Sequence, residues 1–184
     1  MGGIATLVSN NLKQNTTKVG EGIDKDEYNI VRLDHVNPPL NIVNFYGEQE
    51  SRTPNDDILN SWYRLTKDLK EIEGRGEAFL LVGDFNRAVG DDEWGIKGNK
   101  SKVSFGGQLV RDMLETEGYI LLNNLDIVEG GPWTWTSRAN SNVKSCLDLG
   151  IISRNLLPFV DKVVVDKEQR FSHQEKGWGH LLLL

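Results

Sequence analysis

Asp84 and Asn86 stand two residues apart where an apolar run breaks off, in Leu81-Val82-Gly83-Asp84-Phe85-Asn86. In extended chain, residues i and i+2 share a face. The acid and the amide are therefore expected to front one site at the C-terminal end of a strand, with Phe85 turned into packing. A carboxylate so placed can take a proton from water, and a carboxamide can hold a phosphoryl oxygen. Gly83 leaves room for backbone or ligand to approach. The same Asp-Phe-Asn also reads as plain turn punctuation after a strand, since Asp and Asn bond readily to their own backbone.

A second acid stands out by its surroundings. Asp148 lies within Cys146-Leu147-Asp148-Leu149-Gly150-Ile151-Ile152. A carboxylate in so apolar a strand is costly unless it is paired or bound to metal. Two further residues are candidates by position. Tyr46 closes the alternating run Leu40-Asn41-Ile42-Val43-Asn44-Phe45-Tyr46, and Thr134 sits between Trp133 and Trp135. Each has an ordinary reading as well: a tyrosine at a strand end keeps its hydroxyl in water, and threonine is a common strand residue.

The elements that must position these residues are legible from periodicity. Tyr28 to Leu33 and Leu40 to Tyr46 alternate at the strand period, with Pro38-Pro39 as the turn between them. Short strands joined by turns point to antiparallel pairing. Gly3 to Ser9 has strand character, and the polar stretch Asn10 to Lys25 reads as a loop. A helix follows, with Thr53 as N-cap, Pro54 at the first helical position and Asp56 completing a box-like signal. Ile58, Leu59, Trp62, Leu65, Leu69 and Ile72 recur along it at helical spacing, and Gly74 and Gly76 stop it. Ala78 to Val82 reads as a strand covered on both faces. A second helix is predicted from about Gly107 to Glu117. Tyr119 to Leu122, Trp133 to Thr136, Cys146 to Ile152 and Phe159 to Val165 are further strand candidates. Strands outnumber helices along the whole chain, which favours an α+β fold of packed sheets with helices outside. The loop from Arg87 to Lys102 holds Arg87, Lys97, Lys100 and Lys102, a candidate DNA-contacting surface. Asp91, Asp92 and Glu93 offset that charge, so a solvated mixed-charge loop is expected.

Composition narrows the classes. A chain of 184 residues, 38% hydrophobic and 26% charged, has the makings of one globular domain with a real core. No apolar run is long enough to span a bilayer, and no secretory signal is visible. The single Cys146 excludes an internal disulfide and fits a reducing compartment. An intracellular protein, nuclear or cytoplasmic and monomeric, is expected. The formal charge of −6 argues against a simple nucleic-acid-binding module, which would be basic on at least one face. It does not argue against an enzyme whose acids surround a divalent cation.

Gly83-Asp84-Phe85-Asn86 resembles the GDFN motif of the endonuclease/exonuclease/phosphatase superfamily, which includes the endonuclease domains of non-LTR retrotransposons. Other features stand in the family's order: the strand ending in Tyr46, Trp133-Thr134-Trp135 in place of a "[YF]-T-[WF]" element, and Ser145-Cys146-Leu147-Asp148-Leu149 in place of an "S-x-[LI]-D" strand. The resemblance covers nearly the whole chain as a single domain, residues 1–184. It implies two packed, mainly antiparallel β-sheets flanked by helices, an α/β/β/α sandwich that is incomplete here. It also implies Mg²⁺-dependent hydrolysis of a phosphodiester in DNA. Asp84 would orient or deprotonate the attacking water, and Asn86 would hydrogen-bond the scissile phosphate. Tyr46 would contact that phosphate or assist its charge, Thr134 would line the substrate site, and Asp148 would support a histidine or the metal shell.

The sequence departs from the family at both ends. No residue corresponds to the asparagine and the metal-binding glutamate of the family's first strands, so no metal ligand of that kind is assigned. The family's closing Ser/Thr-Asp-His is represented at most by Ser172-His173, or by His180. A fragment of a retroelement-derived protein with impaired activity is expected, lacking the N-terminal strands and the C-terminal strand. Two alternatives stand beside a nuclease: a phosphatase of the same superfamily, and an inactive remnant or nucleic-acid-binding fold.

Overall fold

The structure is a computed structural model describing residues 6, 9, 16–21, 28–91, 93, 95–98, 101–137, 139, 140, 142–166 and 180–183. Its elements run β1 (Thr16–Glu21), β2 (Tyr28–Leu33), β3 (Leu40–Tyr46), α1 (Asn55–Gly74), β4 (Ala78–Asp84), α2 (Phe105–Glu117) and β5 (Ile120–Leu121). They continue with β6 (Val128–Glu129), β7 (Trp135–Thr136), β8 (Lys144–Ser145), β9 (Asp148–Ile152), β10 (Val163–Asp166) and β11 (His180–Leu183). Six strands form one sheet in the order β1-β2-β3-β4-β9-β5, and β11-β10-β6 form a second; β7 and β8 pair separately.

Within the large sheet every pair is antiparallel except β3 and β4, which run parallel because α1 carries the chain back between them. β1 falls inside the stretch expected to be a loop. Its Thr-Thr-Lys-Val sequence is rich in β-branched residues, and it pairs with β2 across an irregularity between Lys18 and Gly20. The predicted strand Gly3 to Ser9 lies outside the described residues apart from Thr6 and Ser9.

Helix α1 buries Ile58, Ser61, Trp62, Leu65, Leu69 and Ile72, much as its periodicity predicts. Its N-terminus differs. Pro54 is the N-cap and no side chain caps it, because the Thr53 hydroxyl donates to the Glu48 carboxylate at 2.8 Å instead. Helix α2 begins at Phe105, capped by Ser104, whose hydroxyl accepts from the Gly107 amide; Gly118 ends it in the left-handed conformation at φ 68.

The two faces of the large sheet serve different layers. One face, with Val43, Phe45, Phe79, Leu81, Leu149 and Ile151, packs on both helices in the main core. On the other face, Leu80 and Ile152 join Val128, Val163 and Val160 in a second apolar cluster beneath the small sheet. This is the expected arrangement of packed sheets with helices outside. Alternation along β4 therefore decides which residues look toward the helices and which toward the second sheet.

Candidate active site

Tyr46, Asp84 and Asp148 occupy one cross-strand row. Tyr46 pairs with Asp84 between β3 and β4, and Asp84 pairs with Asp148 between β4 and β9. Residues in register share a face, so three strands present these side chains together at one end of the sheet, and in an antiparallel pair such as Asp84–Asp148 opposed Cβ atoms lie roughly 4.5–5.5 Å apart. The row grades from an exposed Tyr46 (49%) through a half-buried Asp84 to a buried Asp148 (8%).

The residues beside this row anchor it from the opposite face. Phe45 precedes Tyr46 and Phe85 follows Asp84, and their ring centroids lie 4.8 Å apart. Trp62 of α1 packs edge-on at 6.1 Å from Phe45 and 6.4 Å from Phe85. The inward turn of Phe85 is as the sequence predicts, and it fixes the ends of β3 and β4 to α1. Close approach of the strands needs glycine: a Cβ on Gly83, at φ 147, would lie 1.8 Å from the Phe45 carbonyl oxygen.

Asn86 reaches the site differently from the extended-chain expectation. β4 ends at Asp84, and Asn86 adopts a left-handed backbone at φ 49. Asparagine tolerates that region better than most residues. The turn is closed by the Asn86 amide donating to Asp84 Oδ1 at 3.0 Å. The Asn86 carboxamide donates to the Gly47 carbonyl at 2.7 Å, across to the segment just after Tyr46. Asn86 thus bridges the ends of β3 and β4, with its second N–H available to an oxyanion.

Asp148 is held by its backbone. The Thr134 hydroxyl oxygen accepts from the amides of Leu147 and Asp148, each at 3.0 Å, and Thr134 is 3% exposed. This sets Thr134 behind the carboxylate as a support for β9. On the other edge of β9, β5 stops after two residues, and the Asn123 side chain continues the ladder. It donates to the Asp148 carbonyl at 3.0 Å and accepts from the Gly150 amide at 2.8 Å. Asn123 was not singled out by sequence; its only signal is an amide pair, Asn123-Asn124, closing an apolar run. Burial and the neighbouring Asp148 charge push the Cys146 thiol up to about 12, so it contributes no nucleophile.

Arg87 is not a solvated loop residue. It is 5% exposed and its guanidinium donates to the Glu48 carbonyl, which removes it from any DNA-contacting surface. His173 lies outside the described residues. His180 falls in β11 opposite Asp166, in the second sheet. Among the described residues no group of three or more His, Cys, Asp or Glu could hold a metal, so a dedicated cage is absent there. Mg²⁺ asks for less: one or two carboxylates, with water and phosphate oxygens completing its shell. The facing Asp84 and Asp148 meet that requirement.

No protein-family model and no curated protein matches the sequence. Solved structures do. The endonuclease domain of TRAS1, a telomere-specific non-LTR retrotransposon, matches with a TM-score of 0.58 at 17% identity over 86% of this chain. The 3'-5' exonuclease NExo from Neisseria meningitidis matches with a TM-score of 0.61 at 20% identity over 85% of this chain. This chain has the endonuclease/exonuclease/phosphatase fold. A structure of the 3' phosphatase NExo from Neisseria, bound to a product DNA hairpin, shares that fold at a TM-score of 0.61 and 18% identity over 91% of this chain. The chain spans 64% of the TRAS1 domain and 63% of the exonuclease, so it covers less than two thirds of either version of the fold. No helix among the described residues is long and apolar enough to cross a membrane.

Proposed function

We propose that this chain is a phosphodiester hydrolase acting on DNA with Mg²⁺. The observation that carries the reading is the single row of Tyr46, Asp84 and Asp148 across β3, β4 and β9, with Asn86 bonded to both ends of the β3–β4 pair. Asp84, half-buried and beside the Asn86 turn, accepts the proton of the attacking water. The free N–H of the Asn86 carboxamide steadies a non-bridging phosphate oxygen as charge grows on it. Tyr46, the exposed member, offers its hydroxyl to the same phosphate. Asp148 would hold the Mg²⁺ shell, and the ion, when bound, neutralises charge on the phosphate. Thr134 positions Asp148 through the backbone amides of Leu147 and Asp148.

DNA is favoured as substrate because the similar structures are named as a retrotransposon endonuclease domain, an exonuclease and a 3' phosphatase bound to a DNA hairpin. The test is nicking of a supercoiled plasmid in Mg²⁺. The parent should nick, EDTA should abolish it, and Asp84→Asn should slow it by about a hundredfold or more. Nicking at the parent's rate by Asp84→Asn would sink the reading.

A second reading, a fold that binds DNA without cutting it, draws on the sequence: no residue here corresponds to the metal-binding glutamate of the family it resembles. It expects DNA retention by the parent and by Asp84→Asn alike, with no Mg²⁺-dependent cleavage.

A further inference from the structure

Arg87 follows Asn86 directly, yet it is buried, and what surrounds it belongs to three separate segments. Its guanidinium donates to the Glu48 carbonyl and, at 3.4 Å, to the Asn86 carbonyl. Its Nε lies 3.8 Å from the Glu50 carboxylate. The same Glu50 oxygen accepts from the Gly106 amide at 3.1 Å and from the Ser104 hydroxyl. Ser104 in turn accepts from the Ala88 amide at 3.2 Å and from the Gly107 amide at 3.1 Å. The segment after β3, the segment after β4 and the start of α2 therefore converge on one guanidinium–carboxylate pair.

The packing around that pair is close. A Cβ on Gly106 would lie 2.1 Å from Arg87 Cδ, and one on Gly107 would lie 1.9 Å from the Ala88 carbonyl oxygen. Two consecutive glycines at the start of α2 are what let the helix end seat against this loop. With Arg87 buried and Glu50 half-buried, the pair is a weak source of stability, since desolvation offsets most of its attraction; what it supplies is a link between segments. The left-handed Asn86 next door is a conformation that asparagine tolerates, and its bonds to Asp84 and Gly47 hold it there.

We propose that the Arg87–Glu50 pair is a positioning device for the hydrolytic site. It locks residues 47–50 against Asn86 and so fixes the spacing between Tyr46 on β3 and Asn86 after β4. Arg87 acts through the backbone of Glu48 and Asn86, to which its guanidinium donates, and Glu50 ties both to α2. The kinetic part of this inference rests on the hydrolase reading above.

The test compares Arg87→Met, Arg87→Lys and the parent full chain by amide hydrogen exchange. The Gly47 amide is bonded to the Asp84 carbonyl at 2.8 Å, and the Asn86 amide to Asp84 Oδ1. Arg87→Met should speed exchange at Gly47 and Asn86 by about tenfold or more while leaving Ile151, in the middle of β9, unchanged. Arg87→Lys should restore part of the protection. In the plasmid assay Arg87→Met should lower kcat by about tenfold or more with KM within about twofold, the signature of misplaced groups. Unchanged exchange at Gly47 and Asn86, or acceleration there in step with Ile151, would overturn the proposal. Should Arg87→Met fail to fold, Glu50→Gln reports the same way, since it removes the charge pair and keeps the acceptor for Gly106. A parent that cleaves nothing sinks the hydrolase reading alone, and the exchange pattern still decides the role of the pair.

Discussion

Asp84 and Asp148 face each other directly across the antiparallel pair β4–β9, one half-buried and the other buried. Like charges at opposed positions destabilise an ordinary sheet. The pairing makes sense where a cation or a set of donors lies between the carboxylates, and it is the feature that turns a strand end into a candidate reaction centre.

The hold on Asp148 can be weighed by removing one oxygen. Thr134→Val leaves the buried Asp148 amide and the half-buried Leu147 amide without their acceptor. About 1–3 kcal/mol of stability should be lost for the buried donor left unmet, less for the half-buried one, and Thr134→Ser should lose far less. Urea unfolding of the two variants checks this; equal midpoints for Thr134→Val and the parent would refute it.

Gly83 has no room for a methyl group. Its Cβ would enter the Phe45 carbonyl, and its φ of 147 is one that L-residues avoid. Gly83→Ala should cost more than about 2 kcal/mol by forcing β3 and β4 apart. Thermal melting measures it, and a variant that melts with the parent would show that the strands yield freely.

Glu77 supplies a pH dependence remote from the site. Burial raises its pKa, but hydrogen bonds from Arg75, Asn41 and Arg32 together outweigh that and hold it below the usual value. A folded-state pKa below the unfolded one stabilises the protein above the unfolded value, about 4.3, and the contribution is lost as pH falls through the folded value. The stability gap between the parent and Glu77→Gln should therefore be constant near neutrality and shrink below that pH. A gap independent of pH would contradict the assignment.

Cys146 offers a probe of integrity. Its thiol, pushed up to about 12, should resist alkylation in the folded protein at pH 8 and react as soon as β9 is released by denaturant. Rapid labelling of the native chain would show that β9 opens locally.

Much of this arrangement was legible in the sequence, and the exceptions have physical causes. The inward Phe85, the apolar stripes of α1 and α2 and the strand ending in Tyr46 follow from periodicity, because each is set by local alternation. The single row of Tyr46, Asp84 and Asp148 was expected only as convergence on one site. Its register depends on which strands become neighbours, and the parallel β3–β4 pairing depends on the crossover through α1. Asn86 was expected on the strand face, but a left-handed residue beyond the strand end breaks the two-residue alternation. Arg87 reads as solvated from composition, and only the tertiary meeting of Glu48, Glu50 and Gly106 explains its burial. Periodicity gives Asn123 no role, because a surrogate strand is needed only where β5 stops short.

Whether Asp84 and Asp148 form one reaction centre is decided by a double-variant cycle on the rate of Mg²⁺-dependent DNA cleavage. Asp84→Asn and Asp148→Asn should each reduce the rate by about a hundredfold or more, and the double variant should be little slower than the worse single one. Losses that multiply, or an Asp148→Asn variant that cleaves at the parent's rate, would show that the two carboxylates do not act together.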